Sequence, residues 1–189
     1  MPKEVVSYKL ITDPPGPPGD VKRAIARQRG VYFVAQFEGA FKILAAMEHD
    51  SLQELQADAD AYWEAGIRTE TLRLVSSSQI AAPKRGSPTH CAIIRAEATA
   101  DPREVLAALD GAFEGRVGAD PDHEHFWYAA AVVTGRYDLL IDLGADSLGE
   151  LDSIIMDELR PVPGIGRTET STAYLPGNEI RPKPSDTSS

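Results

Sequence analysis

Apolar and polar positions follow the same order of patterns in both halves of the chain. Runs rich in β-branched and aromatic residues, with alternation of period two, predict strands, and apolar residues at helical spacing predict helices. In the first half these patterns predict strands at 3–12, 31–37, 41–47 and 67–75, and helices at 20–28 and directly after Ser51. Each half therefore predicts the order strand, helix, strand, strand, helix, strand.

The second half repeats this arrangement with different residues. Strands are predicted at 91–98, 126–133, 137–143 and 166–175, and helices at 102–113 and after Ser147. The later helix of each half begins with the same motif, Asp-Ser-Leu-x-Glu-Leu, at 50–55 and at 146–151. Serine followed three residues later by glutamate predicts a capping box at both helix starts.

The repeated motifs indicate that one structural unit occurs twice. The Asp-Ser-Leu motifs lie 96 positions apart (50 to 146), and a second pair, Arg-Thr-Glu-Thr at 68–71 and at 167–170, lies 99 positions apart (68 to 167). A period of this size is typical of duplicated supersecondary units. Residues 1–76 and 90–176 are therefore predicted to be two domains, with a linker at 77–89 and a disordered tail at 177–189.

Two βαββαβ units predict the α+β class, with two tandem ferredoxin-like sandwiches. Both helices of such a unit cover the same face of its four-stranded sheet, and the other face is left bare. We expect the two bare faces to meet within the chain, as an intramolecular pseudo-dimer. This arrangement would make one chain resemble a dimer of single units.

Charged residues on the predicted bare faces suggest how the two sheets would pair. Alternation along the strands assigns Lys9 and Lys42 to the bare face of the first half, and Asp138 and Asp142 to that of the second. Further residues assigned to these faces are Ser7, Ile11, Leu44 and Ala46, and Ile93, Arg95, Glu97 and Leu140. Opposite charges predict ion pairs that set the pairing of the faces, and the alternative is that these charges are solvated.

Composition limits the classes of protein that the chain can represent. The 189 residues are 42% hydrophobic and contain one cysteine, Cys91, which excludes an internal disulfide and suits a reducing cytoplasmic location. No apolar run approaches the roughly 18 residues of a membrane span, and no signal pattern opens the sequence. The net charge of −10 argues against direct contact with nucleic acid, because such contact relies on Lys and Arg at phosphates.

The second half resembles the effector-binding (RAM) domain of the Lrp/AsnC regulators. The resemblance is carried by residues 132–141 (VVTGRYDLLI), by the Asp-Ser-Leu helix start, and by residues 162–170 (VPGIGRTET). The first half resembles the domain more loosely, at 38–43 and 66–71. The resemblance implies an α+β sandwich that pairs through its sheet, assembles into higher oligomers and binds amino acids or related effectors between subunits.

The same resemblance implies a ligand site at the second hairpin. Its residues are Thr134, Gly135, Arg136, Tyr137 and Asp138. A glycine allows a ligand to approach the backbone, and a carboxylate can bind an α-ammonium group. The matching positions of the first half add Gly39 and Phe41, where Lys42 replaces the acid. A plain hairpin turn at Gly135 and an interface charge at Asp138 remain the alternatives.

Members of this family usually begin with a helix-turn-helix, for which the predicted first strand leaves no space. The chain is therefore predicted to be a sensor of an amino acid or related metabolite. It is predicted to be no enzyme and to need no cofactor or metal. We expect it to form homo-oligomers and to act on transcription through a DNA-binding Lrp/AsnC relative. The alternative is a small enzyme of the dimeric α+β-barrel type, either a monooxygenase or a haem-dependent decarboxylase. His123, His125 and the stretch 126–128 favour it, as residues at the mouth of a pocket. The cluster of acidic residues and histidines at 120–125 resembles a metal site, but we interpret it as a solvated loop.

Overall fold

The computed structural model describes residues 5–78, 88–118 and 126–174 and confirms a mixed α+β fold with an antiparallel sheet. Its elements are β1 (Val5–Ile11), α1 (Pro18–Ile25), β2 (Val31–Gln36), β3 (Glu38–Gly39), β4 (Ile43–His49), α2 (Leu52–Glu64), β5 (Thr69–Ser77), β6 (His90–Ala98), α3 (Pro102–Gly118), β7 (Trp127–Thr134), β8 (Leu139–Ala145), α4 (Leu148–Ser153) and β9 (Ile165–Tyr174). Helix α4 continues as a π-helical segment, Ile154–Leu159.

The two predicted capping boxes are present at the starts of α2 and α4. In α2, the Glu54 amide donates to the Ser51 hydroxyl at 3.1 Å, and the Glu54 carboxylate accepts from the Asp50 amide at 2.6 Å. The same two bonds recur around Ser147 and Glu150, at 3.2 and 3.3 Å. Each box satisfies backbone donors that the first helical turn leaves without partners. Local sequence therefore sets both helix starts.

All nine strands in the described parts of the chain form one sheet, in the order β2-β4-β1-β5-β7-β8-β6-β9-β3. Four strands of the first half and four of the second each have the order expected of a ferredoxin-like unit. The halves are joined twice, because β5 pairs with β7 and β3 pairs with β9. Since β3 follows β2 directly in the chain, the sheet returns towards its own first edge. The halves therefore meet along strand edges as well as across faces.

Three clusters of buried apolar residues result from this arrangement. One lies between the helices and strands of the second half and includes Ile94, Phe113 and Leu143. A smaller one lies under the helices of the first half and includes Ile25 and Ile43. The third lies between the two halves, on the faces that carry no helices, and we call this space the interior. It contains Leu10, Ala35, Phe37, Phe41, Leu44, Leu72, Cys91, Ile93, Ala131, Val133, Leu140 and Ala173.

The predicted orientation of β1 was wrong. Ser7, Lys9 and Ile11 face the helices rather than the second half, and Leu10 packs into the interior. Leu10 and Ile11 are adjacent apolar residues, so alternation in β1 alone suits either face. Lys9 is fully buried, and its ammonium lies 2.6 Å from the Asp58 carboxylate of α2. That contact accounts for its orientation.

The predicted ion pairs between the bare faces were also wrong. Lys42 pairs with Glu38 in its own hairpin at 2.8 Å, and the Asp138 carboxylate accepts a hydrogen bond from the Ala98 amide at 2.9 Å. Among the described residues, the ion pair that joins the halves is between Glu70 of β5 and Arg95 of β6, at 2.5 Å. Charge does join the two halves, but through residues other than those predicted.

The predicted domain boundaries stay a prediction. Strand β5 ends at Ser77 and β6 begins at His90, whereas most of the predicted linker and all of the predicted tail lie outside the described residues. None of the helices in the described ranges is long and apolar enough to cross a membrane.

Candidate functional site

A groove lies where the second hairpin of the chain meets α2 and β5 of the first half. Its volume is about 450 Å³. Of the predicted ligand-site residues, Thr134 and Gly135 contribute to its lining. The other lining residues are Leu52, Leu55, Gln56, Ala59, Thr71 and Arg73. Both halves of the chain therefore build this groove.

Gly135 brings the second hairpin into close contact with the first half. Its φ is +155°, and a Cβ at this position would lie 2.5 Å from Leu72 Cδ2 and 3.3 Å from the Thr71 carbonyl oxygen. Gly39 of the first hairpin is placed in the same way against β9, where a Cβ would lie 2.7 Å from the Thr170 carbonyl oxygen. Both glycines thus have a structural role at the two junctions between the halves.

The groove combines one cation with hydroxyl groups and apolar side chains. Arg73 is half-buried, and none of the residues lining the groove with it is acidic. Its guanidinium group can bind a carboxylate through two parallel hydrogen bonds. Thr71 and Thr134 supply hydroxyl groups near it, and Leu52, Leu55 and Ala59 supply an apolar wall. This chemistry suits a small molecule with a carboxylate at one end and an apolar group at the other.

Arg136 and Asp138 do not line this groove, and both make other contacts. Arg136 is exposed, and its guanidinium carbon lies 5.5 Å from the centre of the Tyr137 ring. One Asp138 carboxylate oxygen accepts from the Ala98 amide, and the Asp138 amide donates to the Ala96 carbonyl at 3.1 Å. Asp138 therefore holds the end of β6 and is not among the groove residues.

Tyr137 and Phe41, the matched aromatic residues of the two hairpins, converge on Arg95 in the interior. The Arg95 guanidinium carbon lies 4.8 Å from the Tyr137 ring centre and 5.6 Å from that of Phe41. Arg95 also contacts Glu70 and Glu169, each at 2.5 Å, and is 4% exposed. These glutamates belong to the two Arg-Thr-Glu-Thr motifs. The repeated motif therefore provides two carboxylates for one buried cation.

The electrostatics of the Arg95 cluster favour an ionised Glu169. The Tyr137 hydroxyl makes no hydrogen bond of good geometry among the described residues, yet it faces Glu169. That contact, with the positive charge of Arg95, holds the pKa of Glu169 below its usual range. Burial and the same carboxylate raise the pKa of Tyr137, so the phenol stays neutral. The cluster therefore holds an ionised Glu169 beside the Arg95 guanidinium group.

Asp142 occupies a different part of the interior and has a different environment. It lies opposite Ile93 of β6 and Ala129 of β7, and no basic side chain of the described residues pairs with it. Burial raises its pKa from 3.8 to about 7, although the nearby Trp127 indole N–H acts in the opposite direction. Cys91 lies on the same face, and burial raises the pKa of its thiol, as expected for an inert interior cysteine.

The aromatic stretch 126–128 is not assembled at one pocket mouth. Phe126 and Tyr128 are buried under the helices of the second half, where their ring centres lie 5.9 and 4.8 Å from that of Phe113. Trp127 alternates with them and faces the interior. His123, His125 and the rest of the cluster at 120–125 lie outside the described residues.

Sequence reasoning placed the hairpin at the site but missed the residues from the first half. Thr71 belongs to the repeated motif, and Arg73 follows it two positions later on the same face of β5. The repeated motif therefore pointed to β5 as a notable strand. Its pairing with β7 is a contact between distant segments, and no local pattern records it.

Comparisons with known proteins bear on the second hairpin and on the fold. Residues 128–176 match the Lrp/AsnC ligand binding domain family, over the second hairpin, α4 and β9. No curated protein matches the chain by sequence. Among solved structures, an anthrone oxidase-like protein is similar at 12% identity with a TM-score of 0.57, covering 93% of this chain and 92% of that one. A variant of chlorite dismutase from Candidatus Nitrospira defluvii is similar at 10% identity with a TM-score of 0.54, covering 89% and 90%. At these identities the two structures show a shared fold.

Proposed function

We propose that the chain is an Lrp/AsnC-like regulatory protein that binds an amino acid or a related small carboxylate. The observation that carries this proposal is the match of residues 128–176 to a ligand binding domain, because the hairpin in that segment also lines the groove. The match covers one copy of the domain. Function is inferred from this site and not from the fold, which hosts many activities.

The ligand is proposed to lie between the halves, with its carboxylate on Arg73. Thr71 and Thr134 would accept or donate hydrogen bonds beside it, and the apolar wall of α2 would take its side chain. This orientation differs from the one that the family resemblance implied, in which Asp138 binds the ammonium group. Asp138 already accepts a backbone hydrogen bond, so Arg73 is the stronger anchor.

Calorimetric titration with the common amino acids tests this binding. We expect Arg73→Gln to weaken binding by about tenfold or more, since a charge-assisted hydrogen bond contributes roughly 1.5–3 kcal/mol. Arg103→Gln is the matched control, because Arg103 is exposed on α3 in the second half. Equal affinity of the two variants, or no heat with any amino acid, would overturn the proposal.

The two halves are further proposed to be copies of one domain that together form an intramolecular pseudo-dimer. The repeated motifs, the matching capping boxes and the two junctions between the halves support this. Leu52 and Leu148 are the matching first residues of α2 and α4, and they are 55% and 49% exposed. We expect these apolar positions to contribute to homo-oligomers. Light scattering that shows only a 20.4 kDa species, even with ligand, would contradict the oligomers.

Influence on transcription is proposed to act through a DNA-binding relative of the same family. The negative net charge of the chain disfavours direct contact with DNA. Mixed oligomers with such a relative would bring the sensor to DNA. Co-purification of the two chains, strengthened by the ligand that binds the groove, is the expected result. Salt-sensitive binding of DNA by this chain alone would contradict it.

An enzyme of the dimeric α+β-barrel type is the second candidate. The observation that favours it is Asp142, an acid that ionises near neutral pH inside the interior. The solved structures of the same fold bear the names anthrone oxidase-like protein and chlorite dismutase. The haem-dependent version predicts a Soret band after haem is added to the purified protein. A spectrum that equals that of free haem would exclude that version.

A further inference from the structure

Asp142 lies in the interior at a position where the fold itself does not require an acid. Its neighbours in β8, Ile141 and Leu143, pack under the helices, whereas Asp142 points between the two halves. The matching position of the first half, 96 residues earlier, is Ala46, which is buried in β4. An alanine is therefore sufficient at this position of the unit.

Aromatic side chains from both halves lie near the Asp142 carboxylate. Tyr8 of β1 packs on the interior cluster and is close enough for the charge of Asp142 to raise its pKa. Tyr32, at a bulge in β2, interacts with Tyr8. Trp127 of β7 lies on the same side, and its buried indole N–H has no hydrogen-bond partner of good geometry among the described residues. Within the described ranges, an indole N–H that makes no well-formed hydrogen bond thus lies beside an acid that no basic side chain pairs with.

Small residues and solvent access distinguish this part of the interior. Ala46, Ala129 and Ala173 line it on three different strands, and Asp142, Tyr8, Tyr32 and Trp127 are each only partly buried. The lining beside Asp142 is mixed, since Ile93 of β6 lies directly opposite it and Ala129 of β7 lies on its other side. A flat molecule entering from solvent would contact aromatic faces, which favour stacking.

Three other titratable groups that face this region stay neutral near pH 7. Burial raises the pKa of Tyr8, of Tyr32 and of the Cys91 thiol, so these three remain neutral. Glu48 of β4 is the other acid and acts on Tyr32. Asp142, with a pKa of about 7, can therefore either donate or accept a hydrogen bond near neutral pH.

We propose that this region, which we call the Asp142 site, binds a small aromatic molecule through a ring hydroxyl, with Asp142 as the hydrogen-bond partner of that hydroxyl. The Trp127 indole N–H donates a second hydrogen bond to the same oxygen, and Tyr8 and Tyr32 contact the ring. A carboxyl group and a phenol can share one proton, so the site accepts such a ligand without burying an additional charge. The Asp142 site does not involve the groove at Arg73, and each can be tested without the other.

Tryptophan fluorescence gives a direct test, because the chain contains two tryptophans. Trp63 is 71% exposed on α2, so Trp63→Phe leaves Trp127 as the single reporter without disturbing a core. In this background we expect 4-nitrophenol to quench Trp127 with a saturable curve. Without ligand, the Trp127 emission is expected to change with a midpoint at about pH 7.

Asp142→Asn and Asp142→Ala, each in the Trp63→Phe background, test the role of the acid. Both are expected to abolish the pH step and to weaken 4-nitrophenol binding by at least about tenfold. The controls are Asp152→Asn, an exposed acid on α4, and Arg73→Gln in the groove, and both should bind as the parent does.

Three outcomes would overturn the proposal. The first is unchanged 4-nitrophenol binding in both Asp142 variants. The second is loss of binding in Arg73→Gln, which would place the phenol in the groove. The third is loss of the folded circular-dichroism spectrum in both Asp142 variants, since it would show that the fold needs the acid. Retained folding with selective loss of binding supports the site.

Discussion

The layers beneath α2 and α4 are built from equivalent positions with opposite chemistry. Under α4, the side chains of Ala92, Ile94, Ala145 and Ile154 form an apolar layer. The matching positions under α2 are Ser7, Lys9, His49 and Asp58, in which the first three are buried and polar. The same arrangement of helix and strands is therefore stabilised by apolar packing in the second half and by a buried network of polar side chains in the first half.

The polar layer has a consistent set of internal contacts. The Lys9 ammonium lies 2.6 Å from Asp58 and 4.6 Å from the centre of the Tyr62 ring, and the Ser7 hydroxyl lies 2.9 Å from His49 Nε2. Buried ion pairs recover little more than their desolvation cost, whereas apolar burial is favourable throughout. We therefore expect the first half to be the less stable one. Its polar layer fixes how α2 lies on the sheet.

The largest expected effect comes from removing one member of the buried ion pair. Asp58→Ile leaves Lys9 buried without a partner and should lower the free energy of unfolding by about 3–5 kcal/mol. Adding Lys9→Ile reproduces the apolar layer of the second half. The double variant should return to within about 1 kcal/mol of the parent or exceed it. Urea unfolding measures both.

A loss below about 1 kcal/mol for Asp58→Ile alone would contradict this reading of the layer, because the ammonium would then be satisfied elsewhere. Asp60→Ile is the control, since Asp60 lies on the exposed side of the same helix. It should leave the stability nearly unchanged.

The second effect compares Asp142 with Ala46 at the equivalent interior position. The folded pKa of Asp142, about 7, lies above its ordinary value of 3.8, so its contribution is most favourable below pH 3.8 and is lost as the pH rises through 7. Asp142→Ala removes this penalty. It should stabilise the protein by about 2–4 kcal/mol at pH 9 and by less at pH 5. Thermal unfolding at the two pH values measures this, and an equal change at both would contradict the shifted pKa.

The capping boxes provide a comparison in which both halves should respond alike. Ser51→Ala and Ser147→Ala each remove the hydroxyl that accepts from the third helical residue, and each should cost about 1 kcal/mol. Urea unfolding of the two variants tests the equivalence. Costs that differ by more than about 1 kcal/mol would show that the layer under the helix, and not the cap, determines the helix start.

The smallest effect concerns His49, whose counterpart under α4 is Ala145. Burial, with the positive charge of Lys9, lowers the pKa of His49 below 6.5. The folded state then binds fewer protons than the unfolded state, so stability is present above pH 6.5 and is lost as the pH falls through the folded pKa. Replacing His49 with Gln should flatten the decline between pH 7 and pH 5. If the free energy of unfolding of the His49→Gln variant falls between pH 7 and pH 5 as much as that of the parent, the prediction is contradicted.

The order of elements could be predicted because each element has a local cause. The serine and glutamate side chains at the start of α2 and α4 each accept from a different backbone amide, so the motif alone marks the helix start. Gly66, with a φ of +72°, directly follows the end of α2, in a conformation that favours glycine. The hairpin turns at Gly39 and Gly135 were visible for the same reason.

The candidate site was less accessible to prediction. Thr134 and Gly135 were predicted because they lie in a recognisable hairpin, but no sequence pattern around Arg73 indicates that it lines a site. Its role depends on the pairing of β5 with β7, in which Arg73 lies opposite Thr134. The pairing of Glu70 and Glu169 with Arg95 shows the same dependence, since the two motifs were visible but their shared partner was not.

The amino-acid sequence by itself determined the two similar halves, the strand and helix order, the capped helices and the glycine turns, because these follow from interactions within a few residues. Only the tertiary structure decided which edges join, which face of β1 is buried under α2, and which charges meet. A strand that carries Lys9, Leu10 and Ile11 in succession can turn either face inward, and a shift of one residue exchanges them. Asp58, 49 positions away in the chain (9 to 58), selects between the two by pairing with Lys9.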